Sequence, residues 1–596
     1  MLTKQQLDML VRNLNNGQHR QVIAEGRRLI KLNPTVAGLH EILGLAYAQS
    51  GDPQNAVKSF TRAIKLMPGL KSAHFNLARV YLGAGRTQLA IDALRRLVRA
   101  DQTDIDACHL LGIALFRHGD LAAAAAQFAT VIDHAPQNHE ALFYLGRIAR
   151  VTGDDDAALN HFLAVLDRQP GQFEATFNIG NIHRDNRCPT EALAWFDKAL
   201  AIKPDHLDSL INRGTAQVLL GRPEAGLRDF ETCLAIDPGH LDAFNNLGLA
   251  LIEIRKMDEA MAMFDRALAH DPDFIDAEFS KFVILALQNR YDEALPLAEI
   301  RFDPRRSDPV SDDYATVLPR WDGGSLAGRH LLVHAEQGLG DTLMFLRFMT
   351  QIPADVASLT LAVQDPVYDL IAAQEAGFKV IRMSQAKGWQ KTGAGRPDLR
   401  CAMMSLPVCL APEGGATLTA PARYLEVPPD HQRRWATRLG KTTRPRVGFV
   451  FQGNRGHRND LNRSVELHRF LTALPEGCDY HFLGIDLTEK DRAGLEARAD
   501  ITLHTDEIGD FRDTAALVSQ MDRVVAVDTS VAHLACALGI DTTILLPFTP
   551  DWRWGLEGED SFWYPTAKLV RQPAIGDWDR PLSQVATALR QVAKAH

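Results

Sequence analysis

Large apolar residues return along the first half of this chain with a fixed step. Phe60, Phe128, Phe162, Phe196, Phe230 and Phe264 stand at multiples of 34 residues. Ala56, Ala90, Ala124, Ala158, Ala192 and Ala260 keep a second phase, and Leu43-Gly44, Leu111-Gly112, Leu145-Gly146, Ile179-Gly180 and Leu247-Gly248 a third. A period of this length over half of the chain predicts stacked pairs of helices. Small residues let two helices approach, and the large ones fill the gap. Pro34, Pro68, Pro136, Pro170, Pro204, Pro238 and Pro272 share one grid, empty only at Gln102. Each would stop the second helix of a unit, since proline lacks an N–H and fixes φ. Residues 3–34 read as a degenerate first unit, and 273–300 as a last one with Ala294 still in phase.

The phase ends after Arg301. A stretch rich in Pro, Asp, Ser and Gly follows, read as a linker over 301–328. From His330 short apolar runs take over: HLLVHA, SLTLAV, FKVIRM, PRVGFVFQG, YHFLGI, ITLHT, RVVAVD and TTILLPF. Helical patterns such as TLMFLRFMTQI, SVELHRFLTAL, DTAALVSQM and SVAHLACALG lie between them. Strand–helix alternation predicts parallel sheets covered by helices. A polar break at 430–445 divides the region, so the expected domains are 1–300, 301–328, 329–440 and 441–596. A cleft between the last two would hold a ligand.

Charge narrows the partners. A net charge of −9 with no Lys/Arg block argues against sequence-independent nucleic-acid binding. There is no apolar run of about 18 residues, so no membrane span is expected. The opening MLTKQQLDMLVRNLNNGQ reads as an amphipathic helix rather than a secretory signal. Cys108, Cys188, Cys233, Cys401, Cys409, Cys478 and Cys536 are scattered, which suits reduced thiols in the cytoplasm and no structural zinc.

Three segments could carry chemistry. In HAEQGLGDTLMFLRF, Gly338 and Gly340 permit a tight turn after a strand and Asp341 opens a helix, where it is either a plain N-cap or a rim carboxylate. In VGFVFQGNRGHRNDLNRSVEL, Asn454, His457, Arg458 and Arg463 follow a strand and suit a phosphate, unless the loop is simply solvated. In RVVAVDTSVAHLACALG, Asp528, Thr529 and Ser530 end a strand at a helix start, with His533 one turn in as either a ligand or a packing residue. Downstream, Trp552, Trp554, Trp563 and Tyr564 with Asp551 and Arg553 could line a sugar or base, or pack domains together. The one DxD, Asp577-Trp578-Asp579, lies in the tail and is not read as a metal site.

Residues 1–300 resemble the tetratricopeptide repeat (TPR), which implies an α-solenoid, a right-handed superhelix with a concave face for an extended partner. Residues 329–590, through the Asp341, Arg463 and Asp528-Thr529-Ser530…His533 segments, resemble the family 9, heptosyltransferase-like glycosyltransferases, whose α/β GT-B fold has two Rossmann-like halves. They are also similar to the C-terminal domain of a group of bacterial TPR proteins. The resemblance implies Asp341 as catalytic base, Arg463 or Arg458 on the donor phosphate, and Asp528, Thr529 and Ser530 on the donor. Two departures stand out: the family usually has Lys at the phosphate position, and the first half here is short. The layout is similar, too, to protein O-glycosyltransferases of the O-linked N-acetylglucosamine type. There asparagines of the solenoid hold the polypeptide, which maps onto Asn76, Asn178, Asn212 and Asn246 of one repeat position. Bacterial enzymes of this layout modify flagellin, usually with nonulosonic acids carried on CMP.

The reading is therefore a cytoplasmic, metal-independent glycosyltransferase without cofactor. It would move sugar from a nucleotide-sugar, possibly CMP-linked, to Ser or Thr of a polypeptide held by the TPR, with flagellin the leading acceptor. Two alternatives stay open: a heptosyltransferase-like enzyme acting on lipopolysaccharide or another glycan, and a TPR adaptor whose GT-B domain is inactive.

Overall fold

The computed structural model describes residues 3–311, 314, 318–386, 396–410, 418, 421–454, 456 and 459–595. The chain divides into two compact units, Met1–Pro204 and Asp205–His596. The cut falls inside the repeats, not at their end.

Within the first unit, six helix pairs run from Lys4–Asn15 with His19–Leu32 to Phe173–Asp185 with Pro189–Ile202. Side chains just before the helices fix the starts: Asp104, Asn138, Asp154 and Gln172 each accept from an N–H three residues on. Gly119 and Gly153 end helices with φ of 91° and 81°, a left-handed conformation that favours glycine. The small-to-large lock is direct. A Cβ on Gly44, Gly146 or Gly180 would lie 2.7 Å from the ring of Phe60, Phe162 or Phe196. His40 and His74 reach back to the carbonyls of Pro34 and Pro68 at 3.1 and 3.0 Å. At the empty slot, the Cys108 thiol reaches the Gln102 carbonyl instead.

The second unit opens with three more pairs, Leu207–Leu219 with Pro223–Ile236, Leu241–Glu253 with Met257–His270, and Ile275–Leu287 with Tyr291–Ala298. Two parallel sheets follow. The first holds β1 (His330–His334), β2 (Ser358–Val363), β3 (Lys379–Arg382) and β4 (Leu399–Ala402) in the order β3-β2-β1-β4. The second holds β5 (Arg446–Val450), β6 (Asp479–Phe482), β7 (Ile501–Leu503), β8 (Arg523–Val527), β9 (Thr542–Leu546) and β10 (Ala567–Arg571), ordered β10-β9-β8-β5-β6-β7. Counted from its own first strand this is 3-2-1-4-5-6, the order of doubly wound dinucleotide-binding sheets. The order reverses between β1 and β4 in one sheet and between β5 and β8 in the other, and ligands of such sheets bind at those points.

Two features depart from the sequence expectation. Residues 429–439, read as part of a polar break in the first half, form the helix Pro429–Leu439. Its single buried residue, Trp435, donates to Asp513 at 3.1 Å, so the helix packs on the second sheet's half. The last three helix pairs are also not separate from the sheets. Arg255 donates to the Phe548 carbonyl at 2.9 Å, Leu556 N–H to Leu287 at 3.1 Å, and Trp563 Nε1 to the Tyr291 hydroxyl at 3.0 Å.

Candidate functional site

The carboxyl end of β1 turns through Glu336–Gly338 into the helix Leu339–Phe345. Asp341 folds back to accept from the Gly338 N–H at 3.0 Å, which satisfies an amide that the helix leaves open. This is the N-terminal role that the sequence allowed, and it does not exhaust the carboxylate. Asp341 Oδ1 also accepts from Arg553, whose guanidinium comes from the loop after β9.

Across from it, β8 ends at Asp528, Thr529 caps the helix Ser530–Ala537, and His533 lies one turn in. His533 is buried. Its Nδ1 meets the Tyr564 hydroxyl at 2.8 Å, its Nε2 lies 3.7 Å from Asp528, and its ring stacks on Trp554 with centroids 5.1 Å apart. Gly340 presses on the same ring: a Cβ there would lie 2.7 Å from His533 Cδ2. The two helix starts therefore meet because residue 340 has no side chain. His533 is thus packed against Tyr564 and Trp554, beside Asp528.

Arg463 ends a short helix, Asp460–Arg463, after β5. It donates to the Asp528 carbonyl at 3.0 Å and to Asp460 at 3.3 Å. Its guanidinium lies flat over Gly453, where a Cβ would come within 2.7 Å of Cζ. Asn454 is exposed and turns onto its own loop, accepting from the Gly456 N–H at 2.8 Å. Arg458 and His457 lie outside the described residues.

Electrostatics tie the group together. Burial pushes the Asp528 carboxyl up, but His533, Arg463 and Arg553 outweigh it and hold it below the usual range. Burial disfavours the Arg553 charge, yet Asp341 and Asp551 more than restore it and raise its pKa. Arg553 donates to Asp551 at 2.6 Å, so one guanidinium serves two carboxylates. The sequence offered Arg553 with Asp551 among the aromatics of a candidate sugar or base wall, but nothing in its spacing marked a pairing with Asp341. The aromatics Trp552, Trp554, Trp563 and Tyr564 are all buried. The Trp554 indole N–H is buried and has no hydrogen-bond partner among the described residues.

Sequence patterning also missed a support beneath Asp341. Arg301, next to the last solenoid helix, is buried and donates to Glu336 at 2.8 Å and to Ser405 at 2.8 Å. Burial raises the Glu336 carboxyl. This network anchors the turn that carries Asp341 to the carboxyl end of β4.

The four asparagines sit half-buried on first helices of their pairs. Asn76 lines a cavity of about 440 Å³ with Phe60 and Arg79 in the first unit. Asn178 donates to the Glu174 carbonyl at 2.6 Å. In the second unit, Asn212 and Asn246 hold the matching position of their own helices. Asp579 of the DxD pairs with Arg469 at 2.8 Å, and Trp578 is buried. Among the described residues no three His, Cys, Asp or Glu side chains gather as metal ligands, and no helix is long and apolar enough to cross a membrane.

Tetratricopeptide-repeat family models match residues 43–105 and 109–172, 179–243, and 218–283. With the helix pairs at either end, Lys4 to Ala298 form a run of tetratricopeptide repeats, a scaffold for binding peptides or proteins. A curated relative, Protein FlbA of Caulobacter vibrioides, is 24% identical over 356 residues, covering 53% of this chain and 55% of the relative. The chain thus spans about half the length of that relative. Among solved structures, MamA of Desulfovibrio magneticus (24% identity, 28% of this chain and 96% of that one, TM-score 0.27) is similar. So is YrrB, described as a TPR protein with an unusual peptide-binding site (20%, 32% and 98%, TM-score 0.30). At such TM-scores neither likeness carries weight for this chain.

Proposed function

We propose that this protein is a glycosyltransferase that moves a sugar from a nucleotide-sugar to a Ser or Thr hydroxyl of a polypeptide engaged by its repeats. One observation carries the reading. Asp341, Arg463 and Asp528 come from the reversal points of two doubly wound sheets, and Arg553 and Arg463 draw them into one group. Reversal points of such sheets are where nucleotides bind.

The chain's residues would divide the work as follows. The acceptor hydroxyl attacks the anomeric carbon while Asp341 takes its proton. The bond from that carbon to the phosphate oxygen breaks, and its electron pair leaves with the phosphate. Arg463 and the free N–H groups of the Ser530–Ala537 helix would stabilise that charge. Arg553 must first release Asp341, because a carboxylate held by a guanidinium is a weak base. Asn76, Asn178, Asn212 and Asn246 would grip the polypeptide backbone. By resemblance of layout, the acceptor is flagellin and the donor a CMP-linked nonulosonic acid, in the cytoplasm.

The test is the intact mass of purified flagellin incubated with this protein and a CMP-nonulosonate. A discrete added mass is expected, absent with Asp341→Asn. No added mass, together with no thermal shift on adding CMP, would discard the reading. A second reading, an adaptor whose sheets no longer catalyse, is favoured by the Asp341–Arg553 pair itself. It predicts protein capture by the repeats with no mass change.

A further inference from the structure

Resting on the reading above for its polypeptide substrate, we infer that a cavity of about 310 Å³ beside Glu253 receives a lysine or arginine side chain of that polypeptide. The cavity lies wholly within residues 205–596 and is separate from the Asp341–Arg463–Asp528 group. One wall is the solenoid, at Glu253 and the turn around Gly221; the other is Phe548 and Gln572 after β9 and β10, with Asn462.

Glu253 is the only ionisable side chain among the lining residues. Its carboxylate has no hydrogen-bond or ion-pair partner among the described residues, and burial alone pushes its pKa up to about 7. Three cations of neighbouring elements are engaged elsewhere. Arg255 donates to the Phe548 carbonyl and covers that ring at 4.2 Å. Arg571 donates to the carbonyls of Trp554 and Gly555, at 2.7 and 2.8 Å. Arg463 serves Asp528 and Asp460. A carboxylate left without counter-charge in a partly closed space is stabilised by a cation brought from outside.

The remaining lining suits such a guest. Asn462 donates its amide to Asn459 at 2.7 Å, which leaves its oxygen to accept from an ammonium or guanidinium. The Gln572 oxygen accepts from the N–H groups of Phe548 and Gly576, both at 3.1 Å, which leaves its amide for a peptide carbonyl. Phe548 and Trp578 offer apolar surface to an aliphatic stem. Asn462 is next in sequence to Arg463, so a basic residue seated here would hold a nearby Ser or Thr close to the proposed transfer centre. Binding is proton-linked: a protonated Glu253 offers no charge, so affinity for a basic side chain rises with pH through about 7.

The experiment uses the full chain and fluorescent twelve-residue peptides that carry two threonines and a central Lys, Arg or norleucine. By anisotropy near pH 8, Lys and Arg peptides should bind at least about tenfold more tightly than norleucine, a preference that shrinks below about threefold near pH 6. Glu253→Gln should abolish the preference at both pH values, and Glu253→Asp should keep part of it; circular dichroism checks that both variants fold. Equal binding of norleucine peptides near pH 8, or a preference that survives Glu253→Gln, overturns the proposal. So does a free diamine, putrescine, that displaces the Lys peptide at equal concentration. The CMP thermal shift and flagellin mass are measured on the same samples. Loss of those signals with the basic preference intact sinks the transferase reading alone; the reverse sinks only the cavity.

Discussion

Arg553 holds Asp341 on one side and Asp551 on the other, while Arg463 holds the backbone of Asp528. Under the proposed function, Arg463→Ala removes a charge-assisted contact worth about 1.5–3 kcal/mol, so CMP affinity measured by calorimetry should fall roughly ten- to hundredfold. An unchanged Kd would take Arg463 out of the phosphate site. Two carboxylates should differ in how pH acts on them. Asp528 is held below its usual range, so its contribution to stability is present above an unfolded value of about 3.9 and is lost as pH falls through the lower folded value. Asp528→Asn should therefore lower the melting temperature near pH 7, and the gap should close on acidification below about pH 4. Glu253 has the opposite sign. Raised to about 7, it costs stability as pH climbs from its unfolded value through the folded one. Glu253→Gln should gain about 1–3 kcal/mol near pH 8 and nothing near pH 4, read by denaturant titration. Of these residues Asp341, Arg463 and Asp528 were visible in the sequence, because each lies in a polar segment that follows an apolar strand. Arg553, Arg301 and Glu253 were not: their roles depend on which distant elements meet, and no local spacing records that.

Elements show the same division. Runs of β-branched residues betrayed eight of the ten strands among the described residues, but β4 carries Arg400 in its middle and β10 carries Lys568 and Arg571. A charge inside a short strand erases the pattern, although Arg400 is buried and donates to the Leu318 carbonyl at 3.0 Å. The Pro429–Leu439 helix hid for the converse reason, having only Trp435 to bury. Close helix contacts were legible as glycine–phenylalanine pairs, and they can be probed. Gly180→Ala forces Phe196 to move and should cost about 1–3 kcal/mol in chemical denaturation; an unperturbed midpoint would show that the ring yields freely.

For the molecule as a whole, the repeat period announced a solenoid that runs to Ala298, while the compact units divide earlier, after Pro204. Residues 205–300 share a core with both sheets, through Tyr291, Trp552 and Trp563 among others. A fragment of residues 205–596 should be monodisperse by size-exclusion chromatography and retain any CMP binding of the full chain. One of residues 301–596 should aggregate, having lost the partners of Trp552 and Trp563. Similar behaviour of both would refute the shared core.

That seam has an evolutionary corollary. The first six helix pairs each close over their own Phe or Leu, so selection can lengthen, shorten or re-surface them in whole repeats. The last three cannot be traded in this way. Any homologue that recognises a different client is therefore expected to vary upstream of Pro204 and to keep the turns at Gly221, Arg255 and Asn289 as fixed hardware.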